Sequence, residues 1–486
     1  MIVKVPAVGT VDHSSRWWLG GVGRTVVIAY LVARTWQLVM MGPVLEGPDS
    51  GMYRAPDAGW LDWGATSWDG SSLRPWPSTL LYALLPTDRA RVLAQFVLST
   101  VAWGFLIHRV GRLPVRRWIA GAAAGVIAVL ALTPTVSAFD TLIGAEAVSF
   151  ALLAGFAAAV LHAVQVGPRP TPLALMVVTG WALCLIRPVL GLILFVPLLV
   201  VVRGWWQARR DDRRSGSVRW LVTAGVVLVL VGTAAANVLS SNATAEREWG
   251  DWRGTPGLAG RTIQQWGVFA QSSPSFPELV QEFVARDGAP ACLLVDAVQV
   301  AQPVVPGQSD PCAQGRVWVS TEFVGALART LATDPMAARR YIRDGLADVS
   351  LLRADGETSL PTLVPDPVTG LFFADGPNVD VFALWTLLAL GSLVLARARG
   401  HRRTVPVIVL FALAAAYIGL AGTVVLSPTD VSRVGLPATL LARVFLVVVA
   451  ALVVEQLTGS HRSRREITTE AGPGESGPGA GDRRAG

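Results

Sequence analysis

Five carboxylates lie in one polar stretch between the first two long apolar segments of the chain: Glu46, Asp49, Asp57, Asp62 and Asp69. The stretch closes with Leu73-Arg74-Pro75-Trp76-Pro77 and an apolar run from Leu80 to Leu85. Carboxylates beside a bilayer have two chemical uses. One can orient an acceptor hydroxyl and take its proton as a general base. Several together can hold a divalent cation against a phosphate. The residues leave both uses open, so the metal stays unassigned. Asp49 and Tyr53 are four apart and share a face if their segment is helical. Arg74 offers a guanidinium suited to a membrane-borne phosphate, just before an amphipathic run able to lie along the interface. Asp62 and Asp69 alternate with Trp60, Trp63 and Trp68. Those rings fit sugar stacking or interfacial anchoring. The surroundings of Asp49, Gly47-Pro48-Asp49-Ser50-Gly51, also suit a turn with a capping carboxylate.

The rest of the chain supplies a frame for this loop. It is 52% hydrophobic and 15% charged, with a mean hydropathy of +0.49. Apolar runs of about 20 residues broken by Arg-rich connectors indicate an all-α polytopic membrane protein. They do not alternate as β-barrel strands would. The net charge of +7 sits in short connectors, which fits the positive-inside rule rather than nucleic-acid binding. About ten spans are expected. They are centred on residues 23–41, 90–106, 118–132, 142–162, 173–185, 189–202, 220–239, 379–395, 405–426 and 436–454. A short outer turn is expected at Pro134. The Arg-rich connectors at 108–117, 203–219 and 397–403 then all fall on one side, the cytoplasmic one, with both termini. The first outer loop, residues 43–89, and a polar insert, residues 240–378, fall on the other. The organisation is therefore a membrane module (1–239), the insert (240–378), three closing spans (379–456) and a polar tail (457–486) expected to be disordered. No cleavable leader is apparent at the start. The Ala/Val/Arg-rich, Lys-poor composition reads as a high-GC bacterium, which places the chain in a bacterial cytoplasmic membrane.

The insert is long enough for a small domain. Its tryptophans (Trp249, Trp252, Trp266) are candidates for acceptor-glycan contact. Asp334 reads as an N-cap with Pro335 in the first turn. Cys292 and Cys312 are the only cysteines outside the apolar segments, since Cys184 lies in the fifth. Their isolation as a pair in an exported region points to a disulfide.

Charges inside the apolar segments are costly unless paired or facing a cavity. Arg34 lies in the first span, Glu146 in the outer part of the fourth, and Arg187 between the fifth and sixth. Arg433 precedes the last span. Glu146 and Arg187 either pair with each other or with Arg34 to hold the bundle, or they line a site.

The order of these features resembles the GT-C superfamily of integral-membrane glycosyltransferases. The resemblance rests on Asp49 and Tyr53 in the first outer loop; on Arg74, Pro75, Pro77 and the Leu/Tyr run before the second span; on Glu146; on Arg187-Pro188; and on the short segment Asp430-Val431-Ser432-Arg433. Its relatives are the protein mannosyltransferases, the lipid A aminoarabinose transferase and the actinobacterial arabinofuranosyltransferases. It covers Arg24 to Arg203 best. The usual Arg-Tyr before the last span is Arg433-Val434 here, and no paired acidic motif stands at Asp49. The resemblance implies a GT-C-like bundle whose first outer loop carries juxtamembrane helices. It implies an inverting transferase that moves arabinofuranose or mannose from a polyprenyl-phosphate carrier to an envelope glycan, lipid or protein. By the same resemblance Asp49 is the catalytic base, with Tyr53, Asp62, Asp69 and Glu146 around the cavity and Arg74, Arg187 and Arg433 on the donor phosphate. Two other classes share the composition. A transporter or flippase for a lipid-linked precursor would show broken helices with intramembrane charge. A non-enzymatic envelope-assembly protein would leave the loop carboxylates without a role.

Overall fold

The computed structural model describes residues 21–45, 76–166, 169–210, 276–298, 310–341, 360–373, 380–398, 405–426 and 431–470, with a few isolated positions between 223 and 300. Asp49, Tyr53, Asp62, Asp69 and Arg74 lie outside the described residues, as do Trp249 and Trp252, and so does the side chain of Arg433. The described chain is helical, without a strand; a single parallel bridge joins Leu45 to Leu142. The helices are α1 (Gly21–Val39), α2 (Trp76–Ala83), α3 (Asp88–Val110), α4 (Arg117–Leu132), α5 (Ala145–Val166), α6 (Pro170–Ile186) and α7 (Phe195–Arg210). They continue with α8 (Phe276–Arg286), α9 (Ala313–Thr321), α10 (Phe323–Thr333), α11 (Asp380–Ala398), α12 (Val407–Leu426) and α13 (Val431–Glu470).

Local chemistry sets several of these boundaries. Thr87 caps α3 by accepting the Ala90 N–H at 3.2 Å, and Asp88 adds an acid in the first turn, where the helix dipole favours one. Pro170 opens α6, where a missing N–H costs nothing. At the end of α4, Thr133 turns extended before Pro134, as a residue preceding proline tends to. The chain then bends by 56° and continues through a helical turn, Pro134–Ser137, and a 3-10 turn, Ala138–Thr141. The turn expected at Pro134 is thus a bend followed by further helix. A second interruption falls at Arg187, after which Pro188–Leu194 form a 3-10 segment leading into α7.

α5 is the hub. It packs against α3, α6 and α13, and nearly every residue on it is buried. A helix apolar all round and buried all round is surrounded by protein. Its Ala-rich sequence lets neighbouring backbones come close. Gly180 of α6 is one such place, since a Cβ there would lie 3.2 Å from the Phe156 ring. α1 packs on α3 and α4, and α13 is flanked by α4, α5, α11 and α12. By contrast, α1, α3 and α11 turn large apolar side chains outward, among them Val32, Val101 and Leu387. Patches of that kind suit lipid.

Among the described residues, three helical stretches are long and apolar enough to cross a membrane: Asp88–Val110, Ala145–Val166 and Gly435–Thr458 within α13. The bent pair Arg117–Leu132 and Pro134–Thr141 makes a fourth when counted as one span. α6, Leu190–Arg203, Ala383–Ala398 and Val407–Ala421 are apolar but shorter. The protein is an all-α, multi-pass membrane protein. α13 continues through Glu470, past the expected end of the last span.

The insert contributes α8, α9 and α10 around an aromatic core. The Trp266 ring meets Phe276 at 4.9 Å and Phe323 at 5.1 Å, both edge-on. Trp266 is fully buried, so it is a core residue and not a surface for glycan. Cys292 and Cys312 form the expected disulfide, closing a separation of 20 residues. Asp334 Oδ1 accepts the N–H groups of Met336 at 2.8 Å and Ala337 at 3.0 Å, capping the helix over 335–341.

Two outcomes follow from the insert. Cross-linking a loop of this length constrains the unfolded chain by about 3 kcal/mol. Cys292→Ser with Cys312→Ser therefore lowers the urea midpoint of insert unfolding in the full-length protein, followed by tryptophan fluorescence, and reductant lowers it equally in wild type only. The two backbone N–H groups at Asp334 hold its carboxyl below the ordinary carboxylate range. Its stabilisation is present above about pH 4, the unfolded value, and is lost as pH falls through the lower folded value. Asn caps a helix without that titration, so Asp334→Asn flattens the acid limb of the unfolding curve.

Candidate functional site

The bend at Pro134 delivers Asp140 into the interior, where it is 1% exposed. Arg34, equally buried, approaches from α1 and uses all three of its nitrogens. Nη2 donates to Asp140 Oδ2 at 2.5 Å, Nη1 to Gln37 Oε1 at 2.9 Å, and Nε to Thr100 Oγ1 at 3.0 Å. Its guanidinium carbon stands 3.9 Å from the Phe96 ring centre. Ser99 Oγ also donates to Asp140 Oδ2, at 3.2 Å, while Asp140 Oδ1 is buried without a hydrogen-bond partner. The pair neutralises an arginine that the bilayer would otherwise resist. Sequence reasoning found Arg34 and the need for a partner, but not the partner. A signal existed, because Asp140 and Glu146 are the only acids between residues 118 and 162, and Glu146 is held elsewhere.

The chain from Phe139 to Gly144 is braced from α3 and α2. Gln95 Nε2 donates to the carbonyls of Asp140 at 2.8 Å and Leu142 at 2.9 Å. The Tyr82 hydroxyl lies 2.7 Å from Gln95 Oε1 and 2.6 Å from the Gly144 carbonyl, which share its single proton. The Leu45 N–H donates to the Thr141 carbonyl at 3.2 Å. The chain on either side of residues 46–75 therefore holds this turn, through Leu45 and through Tyr82. α2 packs on α6 and buries Tyr82, while Leu84, just past its end, points outward. Tyr82 and Gln95 went unremarked in the sequence as brace residues because each reads as an ordinary position in an apolar run.

Glu146 follows in the first turn of α5, a favourable end for a carboxylate. It pairs with Arg187, whose Nη2 donates to Glu146 Oε1 at 2.7 Å. Of the two expected arrangements for these charges, the structure has them joined to each other, and Arg34 joined to Asp140. Arg187 is the residue at the break, between the end of α6 and Pro188. Its Nε–H is buried without a hydrogen-bond partner. Gly144 leaves room for the carboxylate, since a Cβ there would lie 2.6 Å from Glu146 Oε2. The geometry thus offers a neutral pair with one spare buried donor, at a helix interruption beside the turn that Leu45 and Tyr82 hold. Such a donor suits an oxygen of a phosphate or a carbonyl.

A second anchor lies on α13. Arg443 donates to the Phe372 carbonyl through Nε at 3.1 Å and Nη2 at 2.9 Å, and its guanidinium stands 4.6 Å from the Phe373 ring centre. Gln37 Nε2 reaches the Pro361 carbonyl at 3.4 Å. Segment 360–373 is thereby tied to α1 and α13. Among the described residues no group of three or more His, Cys, Asp or Glu side chains is placed to hold a metal. The loop carboxylates proposed for that use are outside the described residues. No family model, curated protein or solved structure matches the chain.

Removing one member of a buried ion pair leaves the other uncompensated, at about 3–5 kcal/mol. Arg34→Leu and Asp140→Leu each lower stability by that amount in mixed-micelle unfolding. The double variant loses less than the sum, giving a favourable coupling energy in the cycle.

Proposed function

We propose that the chain is an extracytoplasmic-face glycosyltransferase of the GT-C type, using a polyprenyl-phosphate sugar as donor. The observation that carries this reading is Arg187. It sits at a helix break, is charge-balanced by Glu146 and keeps a buried N–H unengaged. A guanidinium so held can take a lipid phosphate oxygen without unpairing its carboxylate. The resemblance supplies the rest: about ten spans with both termini cytoplasmic, and Asp49 as base. Tyr53, Asp62, Asp69 and Glu146 border the cavity, with Arg74 and Arg433 as further phosphate ligands.

In this mechanism the carrier enters laterally from the lipid. The acceptor hydroxyl oxygen attacks the anomeric carbon while its proton passes to the Asp49 carboxylate. The bond from that carbon to the phosphate oxygen breaks, and its electron pair leaves with the phosphate. Single displacement inverts the anomeric configuration. Arabinofuranose and mannose are the donor sugars favoured, and an envelope glycan, lipid or protein is the acceptor. A divalent cation on the loop carboxylates is compatible with the same chemistry.

The second reading, a flippase for a lipid-linked precursor, gains from two observations. Helices are interrupted at Pro134 and at Arg187, each beside a buried charge pair. Discontinuous helices with polar groups at the break are a transporter arrangement.

Purified protein is incubated with polyprenyl-phospho-sugars and a short acceptor, and released lipid phosphate is read by mass spectrometry. Transfer is expected, falling by about 10²–10⁴-fold in Asp49→Asn. Arg187→Gln raises the KM for donor. Absence of release by wild type, with lipid movement across vesicles instead, would decide for the flippase.

A further inference from the structure

The end of the bundle where α1 begins and α3 finishes carries a separate concentration of charge. Gly23 and Gly111 bring the two backbones into contact there: a Cβ on Gly111 would stand 3.0 Å from the Gly23 Cα. The crossing gathers the residues next to each glycine, Arg24 and Arg112, and both are exposed. His108 lies in the field of Arg112, Arg109 and Arg24. His162, near the end of α5, lies in that of Arg109 and Arg169. Gln165 Nε2 donates to the Arg109 carbonyl at 2.6 Å, tying the ends of α3 and α5 together. Arg109 covers the Phe105 ring at 4.8 Å, and its Nε–H is buried without a hydrogen-bond partner. α1, α3 and α5, with Arg169 at the start of α6, therefore gather a basic cluster at one end of the bundle. Arg116, nearby in sequence, is already engaged by Glu455. Among the described residues, Arg24, Arg109, Arg112 and Arg169 make no ion pair.

Like charges gathered by a rigid crossing repel unless an anion lies among them. The surface of α1 indicates which anion. Steps of four residues from Arg24 run through Ile28, Val32 and Trp36, one stripe on the helix. These three side chains are 61%, 64% and 53% exposed. A free phosphate would make no use of that stripe. A phospholipid would set its headgroup on the arginines and lay an acyl chain along it. We propose that this basic cluster binds the headgroup of an anionic phospholipid, with an acyl chain along α1. The headgroup site lies ten residues along α1 from Arg34 and does not depend on the glycosyl-transfer reading.

Native mass spectrometry of the delipidated full-length protein tests this, with phosphatidylglycerol, phosphatidylcholine and inorganic phosphate as probes. A phosphatidylglycerol adduct is expected to persist where phosphatidylcholine does not, and excess inorganic phosphate leaves it in place. Arg24→Gln with Arg112→Gln weakens phosphatidylglycerol binding about twenty-five-fold, about fivefold per arginine. Arg397→Gln, a basic residue in the last turn of α11, leaves it unchanged. If the double variant does not stay folded, the about fivefold loss in Arg24→Gln alone decides. Undiminished binding in the Arg24 and Arg112 variants, equal binding of phosphatidylcholine, displacement by phosphate, or equal loss in Arg397→Gln would each overturn the proposal.

Discussion

When a helix is interrupted inside an apolar layer, the backbone groups released by the interruption have no water to turn to. In this protein the interruption after Thr133 would strand the carbonyls of Asp140 and Leu142. One amide, that of Gln95, takes both, and one hydroxyl, that of Tyr82, takes the next carbonyl at Gly144. The rest of this end of the bundle hangs on this substitution of side chain for backbone. It fixes where Asp140 stands to receive Arg34, and where α5 begins. The start of α5 in turn sets Glu146 against Arg187. Two ion pairs from four separate elements thus share one brace.

The brace also explains why α5 can be the hub. Its start is held by hydrogen bonds, so its apolar surface is free to be small. Alanines along most of its length let α3, α6 and α13 approach closely, and packing contacts replace bulk as the source of cohesion. Specificity of position comes from the polar residues at one end, and density from the alanines along the rest.

Much of the architecture was readable from residue order. Apolar run length identified a multi-pass helical protein, isolation of Cys292 and Cys312 identified their bond, and the Asp334-Pro335 pair identified a cap. What was not readable was long-range pairing. Arg34 announces a need for a carboxylate, but nothing local distinguishes Asp140 from a turn residue after Pro134. Gln95 and Tyr82 carry no local signature because their role is defined by carbonyls dozens of positions away. Trp266 shows the converse error. A tryptophan in a polar segment suits sugar contact and core packing alike, and only the surrounding rings of Phe276, Phe283 and Phe323 decide for the core. For Arg187, the sequence gave position and charge, while the spare N–H arises from how the helix breaks.

The separation of Arg34 from Asp140 has a consequence for how the protein is made. Their hydrogen bond spans 106 residues. A ribosome adding about 5–20 residues per second leaves α1 without its counter-ion for roughly 5–20 s. During that interval the guanidinium can lower its cost only by staying in contact with water. α1 therefore reaches its final place only after α4 and the bend have emerged. The amino-terminal helices mature as one unit during translation, and a stall between residues 39 and 140 would leave that unit with an unneutralised charge.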